Sequence, residues 1–329
     1  MSIVGHDEQI AAFAAALGGA RLHHAWLLAG PRGIGKASFA AIAAHLYLEG
    51  GGVDPFVIDR DSSTARLIAA GSHPDYALLE RIERLDKDGE PTGDRARNIS
   101  VDQVRGLARL FGTTPTFSPR RAVVIDAIDD MEPSAANALL KSLEEPPAET
   151  LFLIVSHSPG RLLPTIRSRC RVLRFQPLDD DVMTSLLRSQ LDDVSPEEIA
   201  AVSRAADGAP GRAIALAGLG VAAMDKAMDA IVATGDPDNR LRADLARNLA
   251  GKAAQARYEL LLERLPARIA SEARTGAGSL RMRAIDNWER ARDIAGRAVA
   301  LSLEPQATIF DLCGLLAALA PAGAGPSRS

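Results

Sequence analysis

Cysteine is nearly missing from this chain: Cys170 and Cys313 are the only two in 329 residues. Two thiols exclude a disulfide framework and a four-cysteine zinc site within one chain. Their reduced form fits the cytoplasm. Aromatic residues make up only 4% of the chain against 47% apolar residues overall. Much of that apolar share is alanine, which favours closely packed helices. A basic balance is also lacking, since the formal net charge is −4. A protein that binds DNA unaided usually carries a basic surface, so contact with nucleic acid is expected to be local or shared with partners. No apolar run reaches the ~18 residues of a membrane helix, and no membrane span is expected. The apolar stretch 10–17 follows Asp7 and Glu8 instead of a basic segment. It therefore reads as a helix and not as a signal peptide.

What is present has a clear rhythm. Over the first ~175 residues short apolar runs alternate with helical patterns, the mark of a parallel sheet with crossover helices. Residues 25–29 read as a strand, 37–48 as a helix, and 75–79 as a second short strand. The polar, glycine-containing stretch 85–96 reads as an exposed loop. Ser100 and Gln103 stand at the spacing of a capping box opening a helix to about Phe111. Residues 122–126 and 151–155 read as buried strands, and Pro133 begins a helix that ends at Glu144-Glu145-Pro146-Pro147. Beyond Pro177 only alanine-rich helices are expected, broken at Gly208-Ala209-Pro210-Gly211 and at Gly235-Asp236-Pro237. Residues 321–329, rich in Gly, Pro and Ser, read as a frayed tail.

Residues Gly30-Pro31-Arg32-Gly33-Ile34-Gly35-Lys36-Ala37 fit the phosphate-loop pattern G-x-x-x-x-G-K-[ST] except at the last position. Gly30, Gly33 and Gly35 let backbone amides turn inward around phosphate, and Lys36 reaches its outer oxygens. Ala37 lacks the hydroxyl that holds Mg²⁺. Ser38 stands one position late, rotated ~100° around the helix, and is a poor substitute. Asp126, at a strand end, is either a metal-holding carboxylate or a plain strand-end acid. ATPases of the AAA+ type follow that acid with a catalytic glutamate; here Ala127 follows. A missing general base removes roughly 10²–10⁴ in rate. Asp129 and Asp130 are out of register for that role. Ser168-Arg169-Cys170 lies in a basic turn with Arg167, Arg171 and Arg174. Arg169 is either an arginine that reaches a neighbour's phosphate or a surface arginine of that turn. The histidines at 23, 24 and 157 suggest packing more than catalysis.

The run from Ser134 through Leu139-Leu140-Lys141 to Leu143-Glu144-Glu145-Pro146-Pro147, followed by Ser168-Arg169-Cys170, resembles the delta-prime family of bacterial clamp-loader subunits. Gly71-Ser72-His73-Pro74-Asp75-Tyr76, the opening Ile3-Val4-Gly5-His6 and the glycine loop carry the same resemblance. It implies an α/β P-loop domain of the AAA+ type with a RecA-like parallel sheet over 1–175. An all-α lid over 176–225, an all-α collar over 226–320 and the tail 321–329 would follow. It implies a cytoplasmic, non-hydrolysing stator in a hetero-pentamer with motor subunits (gamma/tau) and a delta subunit. That assembly belongs to a DNA polymerase holoenzyme, a nucleotidyltransferase, and loads a sliding clamp onto primed DNA. In that family Arg169, beside Ser168, would be the finger offered in trans to a motor subunit. Arg212 would be either a nucleotide-sensing arginine or a solvated helix-start residue, and Ser156 or Ser158 a polar sensor. Many relatives carry a four-cysteine zinc module, but residues 50–71 contain no cysteine, and Asp54, Asp59 and Asp61 do not replace it. No cofactor is expected to be required, and Ala37 and Ala127 argue against a working ATP–Mg²⁺ site. The rival readings are an active AAA+ motor of the gamma/tau type and a P-loop phosphotransferase.

Overall fold

A computed structural model describes residues 3–19, 22–50, 56–87 and 89–321. From residue 322 onward the expected tail lies outside the described residues, as does Asp54. The chain divides into two compact units: Met1–Gln190 with Ala206–Ala213, and Leu191–Ala205 with Ile214–Ser329.

The first unit runs α1 (Asp7–Leu17), β1 (Ala25–Ala29), α2 (Lys36–Glu49), α3 (Ser63–Ala69), β2 (Tyr76–Glu80), β3 (Glu83–Leu85) and β4 (Pro91–Arg95). It continues through α4 (Val101–Gly112), β5 (Arg121–Asp126), α5 (Pro133–Glu144), β6 (Thr150–Ser156), α6 (Pro164–Arg167), β7 (Arg171–Arg174) and α7 (Asp180–Gln190). Five strands form a parallel sheet in the order β2-β5-β6-β1-β7. Helices cover both faces, so the central strands are buried on both sides and read as continuous apolar runs. Side-chain alternation splits β1 between two cores. Trp26 and Leu28 join Phe13, Phe39 and Phe175 on one face. Ala25 and Leu27 join Ile125, Leu139 and Ile154 on the other. This is the parallel sheet expected from the alternating pattern.

Local signals behave as the sequence suggests. The Ser100 N–H donates to Gln103 Oε1 at 3.0 Å and the Gln103 N–H to Ser100 Oγ at 3.4 Å, which closes the capping box of α4. Two stretches differ from expectation. The expected loop at 85–96 contains β4, which pairs antiparallel with β3 just before it. β4 is exposed along its length, so no apolar alternation marks it. The edge strand β7, Arg-Val-Leu-Arg, buries Leu173 but is exposed at its other three positions, too weak a pattern to stand out.

The second unit is helical. It contains α8 (Pro196–Ala205), the end of α9 (Pro210–Leu216), α10 (Val221–Thr234), α11 (Arg240–Leu249), α12 (Gln255–Thr275), α13 (Gly278–Ala298) and α14 (Pro305–Ala317). Glu198 of α8 caps α10, its carboxylate accepting from the Val221 and Ala222 amides at 2.7 and 2.8 Å. Arg264 and Arg268 of α12 pair with Asp225 and Asp229 of α10. Among the described residues no helix is long and apolar enough to cross a membrane.

Candidate phosphate loop and arginine site

Strand β1 feeds directly into the glycine loop, and α2 begins at Lys36. Gly33 and Gly35 have φ of 77° and 107°, values that side chains with a Cβ rarely adopt. The loop sits at the C-terminal edge of the sheet, where open α/β folds place ligands. Asp126 ends β5 and Ser156 ends β6 at the same edge.

Lys36 does not point into open space. Its ammonium donates to the carbonyls of Gly30 at 2.7 Å and Pro31 at 2.5 Å, inside its own loop. Burial lowers its pKa to about 8, against the pull of Asp126 and Asp129. Burial also raises the Asp126 carboxyl, opposed by nearby His157 and by the charges of Lys36 and Arg32. The structure thus gathers Lys36, Asp126, Asp129, Arg32 and His157 into one electrostatic cluster. Burial followed by the charge of Lys36 lowers the His157 pKa, which keeps that imidazole neutral at pH 7.

Asp129 has a structural role that its position after the strand did not reveal. Its carboxylate accepts from the Ser156 hydroxyl at 3.2 Å and from the amides of His157 at 2.7 Å and Ser158 at 2.9 Å. It therefore shapes the turn after β6, and its oxygens are already engaged. The pairing depends on β5 and β6 being neighbours in the sheet, which no linear spacing encodes. Around the loop Asp126 offers a carboxylate toward a magnesium ion, while Ala37 brings a methyl where a hydroxyl would add a second ligand. Among the described residues no cluster of three or more His, Cys, Asp or Glu side chains is arranged to hold a metal ion.

Two further segments close on the loop. His6 donates from Nε2 to the Ile34 carbonyl at 2.8 Å and stands edge-on to Phe175, with ring centroids 4.9 Å apart. Burial lowers the His6 pKa, against its bond to Ile34. From the other side the start of α9 meets the loop, the Gly211 amide donating to the Gly33 carbonyl at 2.8 Å. A Cβ built on Gly33 would lie 2.7 Å from the Arg212 nitrogen. The Arg212 backbone therefore lies against the loop.

Ser168 and Arg169 stand elsewhere, between α6 and β7. The Ser168 hydroxyl and an Arg169 guanidinium N–H both donate to the Thr165 carbonyl, at 3.1 and 2.8 Å. Cys170 packs on the core cluster that includes Leu139 and Leu143 of α5, and burial pushes its thiol up to about 12. Arg169 also pairs through Nη2 with Glu144 Oε1 at 2.7 Å. Its neighbour Arg171 has its guanidinium over the Trp26 ring, 4.8 Å from the centroid. His24 donates from Nε2 to the Leu143 carbonyl at 3.1 Å, and its ring stacks on His23 at 4.6 Å. Both histidines sit at the entrance to β1, in packing roles.

Known proteins place this architecture. A family model described as DNA polymerase III, delta subunit, matches residues 5–179, just over half of the chain. DNA polymerase III subunit delta' of Pseudomonas aeruginosa is 42% identical over 158 residues, which is 47% of this chain and 44% of that protein. Subunit delta' of Escherichia coli is 36% identical over 151 residues, 46% of this chain and 42% of that protein. Subunit tau of Salmonella typhimurium is 30% identical over 250 residues, 73% of this chain and 36% of that protein. The matches thus span less than half the length of these relatives. Among solved structures, a DNA polymerase III gamma subunit-related protein of Thermotoga maritima aligns with a TM-score of 0.52. The alignment covers 94% of this chain and 99% of that one at 16% identity, a likeness of fold alone. With the family model matched across the sheet, the glycine loop and the Ser-Arg-Cys turn, the chain belongs to the DNA polymerase III delta subunit family as a delta-prime-like member.

Proposed function

We propose that this chain is a non-hydrolysing stator of a clamp loader. It supplies Arg169 in trans to the ATP site of a neighbouring gamma/tau-type motor subunit. One observation carries the reading: the chain keeps the loop fold but has alanine at both catalytic positions, Ala37 and Ala127, while Arg169 is a third exposed at the surface. Without the hydroxyl and the base, no hydrolytic step runs in this loop, and no cofactor is required.

The assembly implied is a hetero-pentamer with motor subunits and a delta subunit, acting in the cytoplasm. Through it the sliding clamp is opened and placed on primed DNA. The lid 176–225 and collar 226–320 would carry the inter-subunit contacts. An arginine finger lowers the barrier by placing fixed positive charge where phosphate oxygens gain negative charge, worth roughly 10³–10⁵ in rate. The test is reconstitution with candidate motor and delta subunits, with ATP hydrolysis measured in the presence of clamp and primed DNA. Omission of this chain should abolish stimulated turnover, and its readdition should restore it.

A second reading, an active motor of the gamma/tau type, is favoured by one observation. The match to subunit tau of Salmonella typhimurium extends over 73% of the chain, further than the delta' matches. Steady hydrolysis by the purified chain alone, abolished by Lys36→Ala, would establish that reading and end the stator proposal.

A further inference from the structure

We infer that Glu144, the first glutamate of the Glu-Glu-Pro-Pro run, is the positioning residue for Arg169. The inference rests on the proposed role of Arg169 and concerns what holds that side chain ready.

An arginine on a tether of three methylenes carries much rotamer freedom, and freedom at a charge that must meet a phosphate lowers the rate. Two contacts remove it here. One guanidinium nitrogen donates to the Thr165 carbonyl at 2.8 Å, and another is 2.7 Å from the Glu144 carboxylate. Bonds to two different nitrogens fix both the direction and the plane of a rigid fork. The guanidinium carries five N–H donors, so this grip leaves others for a phosphate.

Glu144 is itself well placed to act as a fixed point. It is the last residue of α5, and the residue before it, Leu143, is buried in the core. The Leu143 carbonyl accepts from His24, and the Glu145 amide closes on the Lys141 carbonyl at 3.0 Å. The final turn of α5 is thereby pinned to His24, just before β1, which fixes the backbone that presents the carboxylate. Cys170, the residue after Arg169, packs against the same core cluster as Leu143. The pair is half exposed on the glutamate side, at 48% for Glu144 against 33% for Arg169. An ion pair so exposed adds little to stability, so its use lies in orientation. The adjacent Glu145 lies one residue on, outside the pairing, and supplies a control of equal charge.

The experiment uses the reconstituted complex, with kcat and KM for ATP measured on clamp and primed DNA. Glu144→Ala should lower kcat on the order of 10-fold, since a small misplacement of a catalytic charge costs up to about 10²-fold. KM for ATP should stay within about twofold, because the motor subunit binds the nucleotide. Glu144→Gln keeps a hydrogen-bond acceptor at the same reach and should restore most of the rate, whereas Glu145→Ala should match the unaltered complex. Glu144→Asp withdraws the carboxylate by one methylene, and should show the same kcat loss if the alanine variant fails to assemble. A slow Arg169→Ala complex beside an unimpaired Glu144→Ala complex overturns the positioning role and leaves the finger standing. A faster Glu144→Ala complex overturns it too, since the carboxylate would then be a restraint. An unimpaired Arg169→Ala complex overturns the finger itself.

Discussion

The Gly211 amide donates to the Gly33 carbonyl across 2.8 Å, joining the first turn of α9 to the glycine loop. The approach is possible because neither residue has a side chain: a Cβ on Gly33 would lie 2.7 Å from the Arg212 nitrogen. Gly33 also holds φ at 77°, where a Cβ is strained. Gly33→Ala is therefore expected to destabilise the first unit by about 1–3 kcal/mol. Thermal unfolding followed in that unit checks this; a melting temperature equal to that of the parent chain would show that the backbone yields at little cost.

The same contacts bear on nucleotide. Lys36 is engaged by Gly30 and Pro31, Ala37 offers no metal ligand, and Asp129 is taken up by the turn after β6. Isothermal titration of the purified chain with ATP and Mg²⁺ is expected to show no saturable binding at millimolar concentrations. Binding in the micromolar range that requires Mg²⁺ would refute this, and would mean that the ammonium exchanges its carbonyl partners for phosphate readily.

Arg169→Ala separates fold from function. The pair with Glu144 is partly exposed, and such pairs contribute about 0–1 kcal/mol. The variant should keep its fold and assemble. Stimulated hydrolysis by the reconstituted complex should fall by roughly 10²-fold or more, within reach of the range known for such arginines. Equal steady-state rates for the two complexes would remove Arg169 from the chemistry.

These predictions draw on features that differ in how openly the sequence carries them. The sheet was legible because its central strands are unbroken apolar runs: 25–29 is β1 as expected, and 122–126 and 151–155 fall within β5 and β6. The helix opened by Pro133 and the capping box of Ser100 and Gln103 were legible because their signals are local. β7 and the β3–β4 ribbon were not, since their stability comes from neighbours and not from their own pattern. Within the site, the glycine loop and the Ser-Arg-Cys run are linear motifs and can be read directly. The engagement of Asp129 by Ser156, His157 and Ser158, and of Arg169 by Glu144, joins residues about 25–30 apart through strand order and helix packing. Nothing short of the fold displays those pairs.

The histidines make a prediction about acid. His6, His24, His45, His73 and His157 all have their pKa lowered, in each case first by burial. A histidine whose folded pKa lies below its unfolded value of ~6.5 takes up a proton on unfolding as pH falls through that value. Stability is therefore full above about pH 6.5 and declines below it. Calorimetry near pH 6 in buffers of different ionisation enthalpy should register net proton uptake on unfolding. A melting temperature unchanged between pH 7 and 5 would contradict this.

In the helical unit the decisive residue is Asp236. It follows Gly235, whose φ of 71° ends α10, and it is buried. Its carboxylate accepts from the Leu241 amide at 2.9 Å, the Arg242 amide at 3.1 Å and Arg242 Nε at 3.0 Å. Arg242 in turn holds its guanidinium over the Phe310 ring of α14, 5.2 Å from the centroid. One carboxylate thus fixes the start of α11 and the arginine that joins α11 to α14. Burial works to raise the carboxyl pKa, but the two amides and the guanidinium outweigh it and hold it below the usual range. Its contribution is accordingly complete above about pH 4 and is lost as pH falls further, through the depressed folded value. Asp236→Ala would strand two helix amides and a mostly buried guanidinium, and should cost about 2–4 kcal/mol. Urea unfolding of the helical unit measures it at pH 7. A cost under about 1 kcal/mol would mean that water or Thr234 takes over those donors, and that α11 is held by its apolar contacts with α14 alone.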